Sequence, residues 1–169
     1  MKIHIIGCSG SGKTYLAEVL AKKYKIPHFD LDDIQWDNST PGYGVKMPRE
    51  KRAALLQEIL TCPDWIIEGV YYAWVQQSFE DADRIYVLDM PKYLYVSRIL
   101  LRFAKRKLGM EKGKKESIQS VCKLLKWTET FQKQNLPEIR KLLEQYGDKV
   151  IWLSSKEDIQ KTIDAPIQI

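Results

Sequence analysis

Residues 7–14 read GCSGSGKT and fit the pattern G-x-x-x-x-G-K-[ST]. Glycines in this pattern let the backbone turn tightly, so that successive N–H groups point at phosphate oxygens. The lysine contacts the β- and γ-phosphates, and the final hydroxyl ligates Mg²⁺. We therefore expect Lys13 to be both nucleotide-binding and catalytic, and Thr14 to bind Mg²⁺. The complete predicted nucleotide-binding set is Gly7, Cys8, Ser9, Gly10, Ser11, Gly12, Lys13 and Thr14.

The segments on either side of this loop have the structure that the pattern requires. Residues 1–6, MKIHII, are an apolar run typical of a buried strand, whereas residues 15–24 carry Leu16, Val19 and Leu20 at helical spacing. A strand, a glycine-rich loop and a helix in that order place the positive end of the helix dipole at a bound phosphate. We conclude that the chain binds a nucleotide.

Composition restricts the class of protein. With 169 residues, 44% hydrophobic and 29% charged, the chain is expected to form a single domain over residues 1–169. No apolar run approaches the roughly 20 residues that span a bilayer, and the chain enters its first strand directly, so we expect neither a membrane segment nor a signal peptide. Three cysteines without metal spacing favour a reducing, cytoplasmic location.

Predicted strands and predicted helices alternate along the chain, which indicates an α/β fold with a parallel sheet. Further strands are predicted at 28–32, 65–67, 84–88 and 149–153, and helices at 49–61, 71–79, 93–107, 116–135, 137–146 and 156–163. Residues 35–46 are predicted to be a surface loop. Ligands of such sheets bind at the carboxyl ends of the strands.

Carboxylates follow the predicted second, third and fourth strands. Asp30 and Asp32 alternate on a predicted strand and are expected to share one face. We expect Asp32 to orient and deprotonate a hydroxyl and Asp30 to bind Mg²⁺. Glu68 is the favoured further metal residue, and Asp89 is the alternative. Capping of helices and closure of turns is the competing explanation for all four residues.

Basic residues are concentrated in residues 92–126, which contain eleven basic and two acidic side chains. Arg98, Arg102 and Arg106 recur at four-residue spacing, which puts them on one helical stripe beside an apolar stripe that should face the core. We interpret this segment, including its basic glycine-containing loop at 109–115, as a lid. Arg98 and Arg102 would neutralise charge on the transferred phosphoryl group. A solvated basic face and a nucleic-acid surface are the alternatives.

The chain resembles the small P-loop kinases of the adenylate, shikimate and gluconate kinase group, and within it the bacterial DNA topology modulation proteins. The resemblance lies in GCSGSGKT, FDLDDIQW, MPREK, DWIIEGVYYAW and ADRIYVLDMPKYL. It implies a three-layer P-loop fold with a five-stranded sheet in the order 2-3-1-4-5 and a lid after the fourth strand. Asp30-Leu31-Asp32 is similar to the D-x-D of shikimate kinases, whose second aspartate meets the acceptor hydroxyl. Residues 68–72, EGVYY, replace the D-G-x-P-R of adenylate kinases, so AMP is not the expected acceptor.

These observations together predict a phosphotransferase that moves the γ-phosphate of Mg²⁺-ATP to a small hydroxylated metabolite or a nucleotide. Trp36, close to the aspartates, is a candidate wall of the acceptor pocket. The alternative function is a nucleic-acid-associated ATP-binding protein that affects DNA topology without kinase activity. We expect a monomer or homodimer, no membrane contact, and a small-molecule acceptor in preference to nucleic acid.

Overall fold

A computed structural model describes residues 1–37, 44–110 and 117–167. Five parallel strands form one sheet in the order β2-β3-β1-β4-β5, which confirms the predicted fold. The strands are β1 (Lys2–Gly7), β2 (His28–Asp30), β3 (Trp65–Gly69), β4 (Arg84–Leu88) and β5 (Val150–Leu153). Residues 38–43, inside the loop predicted at 35–46, lie outside the described residues. So do residues 111–116, which cover most of the loop predicted at 109–115 and the first residue of the helix predicted at 116–135.

Helices cover both faces of the sheet. They are α1 (Lys13–Tyr24), α2 (Leu31–Gln35), α3 (Arg49–Leu60), α4 (Gln76–Asp81), α5 (Lys92–Lys107), α6 (Ile118–Thr130), α7 (Leu136–Leu143) and α8 (Lys156–Asp164). A π-helical turn (Phe131–Asn135) joins α6 to α7, and a 3₁₀ segment (Glu144–Lys149) leads into β5. Among the described residues, no helix is long and apolar enough to cross a membrane.

The core has two layers because β1, in the centre of the sheet, is apolar on both of its faces. Ile3 and Ile5 pack with Leu16 of α1 and Ile159 of α8 on one side. On the other side, Ile6 belongs to a cluster formed with α2, α3, α4 and α7. The three isoleucines of β1 have no exposed surface. The central strand is therefore a rigid base for the loop that follows it.

The register of the sheet places several functional candidates at one edge. Ile6, one residue before the end of β1, pairs with Gly69, and Asp30 at the end of β2 pairs with Glu68. The order β2-β3-β1 therefore sets the Asp30 end of β2 beside β3, and β3 beside the glycine-rich loop. This edge carries the candidate site.

Two element predictions were wrong in part. The strand predicted at 28–32 ends at Asp30, because Leu31 begins α2 and the Asp30 carboxylate caps that helix. The helix predicted at 71–79 begins only at Gln76. The segment before Gln76 is an irregular connection whose aromatic side chains pack beside β3 and contact α2 and α3. Tertiary contacts decided both boundaries.

Candidate functional site

The glycine-rich loop connects β1 to α1 with backbone angles that favour glycine. Gly10 has a φ of 79° and Gly12 a φ of 110°, both in the left-handed region. A Cβ on Gly10 would lie 2.9 Å from the carbonyl oxygen of Tyr95, and one on Gly12 would lie 3.1 Å from Nη1 of Arg98. The glycines therefore permit both the turn and the close approach of α5.

Lys13 is held at the start of α1 with its charged group folded over the loop. Its side chain is buried, and Nζ donates a hydrogen bond to the carbonyl oxygen of Cys8 at 3.1 Å. The same Nζ lies 3.9 Å from Oε2 of Glu68. A buried ammonium group that contacts one carboxylate beside an open loop is well placed to attract phosphate oxygens.

Glu68 links the loop to β3. Its buried carboxylate accepts a hydrogen bond of 2.5 Å from the hydroxyl of Thr14. Burial raises the pKa of Glu68 above its ordinary value. The charge of Lys13 and the hydrogen bond from Thr14 offset only part of this rise. These oxygen donors suit Mg²⁺, which keeps several waters and takes few protein ligands. Among the described residues, no group of three or more His, Cys, Asp or Glu side chains forms a metal cluster.

Asp30 lies next to Glu68 and makes the predicted alternative contact, a helix cap. Its Oδ1 accepts the backbone N–H of Asp32 at 2.8 Å. Burial and the negative charge of Glu68 raise the pKa of Asp30 to about 6. The metal-binding role of Asp30 stays a prediction, because capping alone explains its position at the start of α2.

Asp32 lies in the first turn of α2, so the expectation that it shares a strand face with Asp30 was wrong. Its exposed side chain accepts a hydrogen bond of 2.5 Å from the hydroxyl of Tyr71. Asp33, the next residue, is also exposed. Asp32 nevertheless stays at the carboxyl end of the sheet, beside β2 and β3.

The arginine stripe of α5 reaches the glycine-rich loop. Nη1 of Arg98 donates hydrogen bonds to the carbonyl oxygens of Gly10 at 3.1 Å and Ser11 at 2.7 Å. Arg98 and Arg102 also line a cavity of about 500 Å³. The other lining residues are Gly10, Gly12, Lys13, Thr14, Tyr15, Lys156 and Ile159. As predicted, Tyr95 and Ile99 of the adjacent stripe are buried.

The candidate carboxylates Asp30, Asp32, Glu68 and Asp89 are not among the residues that line this cavity. Arg106 is on the same stripe but is not among the residues that line the cavity. The carboxylate of Asp89, at the end of β4, lies 3.4 Å from Nη2 of Arg140 on α7. The structure thus gives Asp89 an ion-pair partner, whereas Glu68 directly contacts the loop.

Several residues at the site were not found from the sequence. Arg52 of α3 donates to the side-chain oxygen of Gln35 at 2.7 Å, and its guanidinium stacks over the ring of Trp74 at 4.5 Å. Tyr71 packs against Trp74 with ring centroids 5.5 Å apart. These contacts join α2, α3 and the segment after β3, and no local spacing pattern connects such distant positions. Lys156 and Ile159 follow β5. The rule that ligands bind at the carboxyl ends of the strands could have identified them.

The family to which the chain belongs follows from its match to known sequences. Residues 3–121 match the family described as AAA domain, which is more than half of the chain. The chain belongs to the AAA domain family. As a member of this family with a shikimate kinase relative, it falls in the P-loop group of nucleotide and small-molecule kinase-like proteins, as predicted.

Two curated relatives of this AAA domain protein match at moderate identity. A shikimate kinase from Enterococcus faecalis (strain ATCC 700802 / V583) is 31% identical over 129 residues, covering 69% of this chain and 76% of the relative. The protein YqaC from Bacillus subtilis (strain 168), described as uncharacterized, is 29% identical over 98 residues and 57% of this chain. The match covers 53% of YqaC, so the chain spans about half of the length of that relative.

A solved structure shares the fold of this AAA domain protein. Shikimate kinase from Bacteroides thetaiotaomicron superposes with a TM-score of 0.56, covering 97% of this chain and 94% of the other. The sequences are 16% identical, so the likeness shows the fold alone. The finer resemblance to DNA topology modulation proteins stays a prediction.

Proposed function

We propose that the protein transfers the γ-phosphate of Mg²⁺-ATP to a hydroxyl group of a small metabolite or nucleotide. The observation that carries this proposal is the arrangement at one edge of the sheet. Lys13 and Thr14 contact Glu68, and Glu68 pairs in register with Asp30, which directly precedes the helix carrying Asp32. A phosphate site after β1 and a candidate base after β2 therefore lie at the same edge of the sheet, on either side of the end of β3.

The donor half of the proposed site is the loop together with α5. Backbone N–H groups of the loop would bind the phosphates of ATP, and Lys13 would contact their terminal oxygens. Arg98 and Arg102 add positive charge to the same cavity, whose wall of Lys156 and Ile159 leaves space for the nucleoside. A cationic, half-enclosed cavity next to a phosphate loop suits a nucleoside triphosphate.

Thr14 and Glu68 would hold Mg²⁺, Thr14 directly and Glu68 through its bond to Thr14 or through water. Bound there, Mg²⁺ would supply positive charge to offset the negative charge that develops during transfer. The hydroxyl of Thr14 and the carboxylate of Glu68 are already 2.5 Å apart, which orients the hydroxyl at the mouth of the loop. Asp30 is the further candidate on the neighbouring strand.

The acceptor half depends on Asp32. An acceptor hydroxyl bound there gives its proton to the Asp32 carboxylate while its oxygen forms a bond to the γ-phosphorus. The bond between the γ-phosphorus and the β–γ bridging oxygen breaks, and ADP leaves. The exposed position of Asp32 lets an acceptor reach it from the open side of the sheet edge.

Purified protein tests this function with Mg²⁺-ATP and a panel of hydroxylated metabolites, nucleosides and nucleotides. We expect phosphorylation of at least one compound, and a loss of about 10²- to 10⁴-fold in its rate for Asp32→Ala, the range for removal of a general base. Asp33→Ala is the matched control and should retain the rate. If no compound is phosphorylated and Asp32→Ala leaves ATP turnover unchanged, the proposal is wrong.

The nucleic-acid alternative is tested on the same protein. Arg98 and Arg102 line the loop cavity, which favours their use on a nucleotide over an extended DNA surface. Part of the basic segment, residues 111–116, lies outside the described residues. We expect no shift of a short duplex DNA probe at low salt. A shift that weakens steeply as salt increases would favour the alternative.

A further inference from the structure

The Tyr71 hydroxyl forms a hydrogen bond with the Asp32 carboxylate, and the proposed reaction gives Tyr71 no role. We propose that Tyr71 is a positioning residue that holds the Asp32 carboxylate toward the acceptor. This inference rests on the proposed function, in which Asp32 is the base. It extends that function by assigning a task to the segment after β3.

The geometry of the pair comes from two neighbouring parts of the fold. Tyr71 lies two residues beyond the end of β3 and is half-buried, whereas Asp32 is exposed in the first turn of α2. The Tyr71 hydroxyl lies 2.5 Å from Oδ1 of Asp32.

The direction of this hydrogen bond is determined by the two groups in it. An ionised carboxylate can only accept, so the Tyr71 hydroxyl donates to Oδ1 of Asp32. Burial raises the pKa of Tyr71, and the bond and negative charge of Asp32 raise it further. The phenol therefore remains a donor throughout the physiological pH range.

Such a contact matters because α2 is short and Asp32 is exposed. The helix has five residues, so its own backbone restricts the Asp32 side chain weakly. With Oδ1 bonded to Tyr71, the second carboxylate oxygen, which has no hydrogen bond to the described residues, can receive a proton. Catalytic groups must be held within about 0.5 Å of their productive position, and neighbouring hydrogen bonds supply that precision.

Rigid packing on the far side of Tyr71 supports the same role. Its ring contacts Trp74, which lies under the guanidinium of Arg52. Arg52 is tied to the buried Gln35 at the end of α2 by a hydrogen bond of 2.7 Å. Both ends of α2 are thereby attached to aromatic side chains of the segment after β3, so that Tyr71 and Asp32 keep their relative position.

Tyr72 offers a matched control beside Tyr71. Its hydroxyl also donates to a carboxylate, Oε2 of Glu138 on α7, at 2.5 Å. Tyr71→Phe and Tyr72→Phe therefore each remove one hydroxyl and one tyrosine–carboxylate bond while they keep the ring. The two variants differ in which carboxylate loses its partner.

The experiment measures ADP release from Mg²⁺-ATP, which reports transfer to an acceptor from the panel or to water. We expect Tyr71→Phe to lower kcat by about 10- to 100-fold, the range for misplacement of a catalytic group, with the KM for ATP unchanged. Tyr72→Phe should equal the wild type. In an Asp32→Asn background, Tyr71→Phe should cause no further loss, because the group it positions is gone.

A spectroscopic measurement is independent of turnover. The ¹³Cγ resonance of Asp32, assigned by its loss in Asp32→Asn, should move in Tyr71→Phe but not in Tyr72→Phe. An unmoved resonance in Tyr71→Phe would overturn the inference. So would a Tyr71→Phe rate equal to that of Tyr72→Phe, or a loss that recurs in full in the Asp32→Asn background. If Asp32→Asn itself keeps the wild-type rate, the proposed function fails instead.

Discussion

The two halves of the candidate site are built in different ways. In the donor half, apart from the side-chain contacts of Lys13 and Thr14 with Glu68 of β3, contacts are local or made to backbone atoms. Lys13 bonds to the carbonyl of Cys8, and Arg98 bonds to the carbonyls of Gly10 and Ser11. In the acceptor half, side chains contact side chains across long separations, 39 residues between Asp32 and Tyr71. The donor half is therefore described by one short pattern, whereas the acceptor half is assembled by the fold.

This difference explains why the nucleotide was easier to infer than the acceptor. Every nucleoside triphosphate presents the same phosphates, so a backbone-lined loop serves many reactions unchanged. Acceptors differ in shape and charge, and side chains such as Arg52, Trp74 and Tyr71 provide that variety. Variants of the two halves should accordingly separate nucleotide binding from phosphoryl transfer.

After Asp32→Ala, the largest expected effect is in the donor half. Lys13→Ala removes a positive charge that contacts both the loop and Glu68. We expect the rate of ADP release to fall by about 10²- to 10³-fold, the cost of removing one electrostatic group at a reacting phosphate. Nucleotide affinity, measured by calorimetry with an ATP analogue, should also fall.

Lys22→Ala, at an exposed position near the end of the same helix, is the control for Lys13→Ala. It should leave both the rate and the affinity unchanged. If Lys13→Ala lowers the rate while the affinity for the analogue stays at the wild-type value, the assignment of Lys13 to the donor half is wrong. That result is expected of an acceptor-side residue.

A second effect concerns the stability of the loop. Arg98→Ala removes two charge-assisted hydrogen bonds to loop carbonyls, and bonds to charged groups contribute about 1.5–3 kcal/mol. We expect a loss of that order in the free energy of unfolding, measured with urea, together with weaker ATP binding. Lys105→Ala, exposed on the same helix, should change neither quantity. Unchanged stability would show that α5 does not support the loop.

A third effect concerns Glu68 of β3, which lies between the donor half and the acceptor half. Glu68→Gln keeps the size of the side chain and its bond with Thr14 but removes the charge. The Mg²⁺ concentration for half-maximal activity should rise by about 10- to 100-fold, as for loss of an outer-shell metal partner. Glu58→Gln, on the exposed face of α3, is the control. An unchanged Mg²⁺ requirement would remove Glu68 from the metal site.

The smallest expected effect is a pH dependence of stability at Asp30. Its pKa is about 6 in the fold against an ordinary value of 3.8, so the folded state binds the proton more tightly than the unfolded state. Between about pH 4 and pH 6 the folded protein therefore carries more protons, and this group lowers stability as pH rises. The contribution is unfavourable above pH 6 and absent below the unfolded pKa.

Asp30→Asn should keep the cap on α2, since the amide oxygen still accepts the N–H of Asp32. Without Mg²⁺, we expect the variant to be more stable than the wild type at pH 7 and equal to it at pH 4, as measured by urea unfolding. Asp33→Asn should show no such difference. A gap between Asp30→Asn and wild type that is equal at both pH values would contradict the assigned titration.

Most of the sheet was predictable because its strands are apolar and end in polar residues. The strand order followed from resemblance, and the boundaries failed where elements are short. The sequence predicts a strand of five residues that includes Asp32. In the structure β2 has three residues, because Asp30 caps the helix that follows. The sequence likewise predicts a helix over residues 71–75, but tertiary contacts of Tyr71 and Trp74 hold these residues in an irregular conformation.

The sequence alone was enough for the phosphate loop and the parallel sheet, because a pattern of glycines, a lysine and apolar runs acts through local backbone geometry and burial. Only the tertiary structure showed that Arg98 bonds to the loop, that Glu68 joins Thr14, and that Tyr71 meets Asp32. These contacts depend on which helix packs over which strand end. That packing is a property of the whole core, and no single segment encodes it.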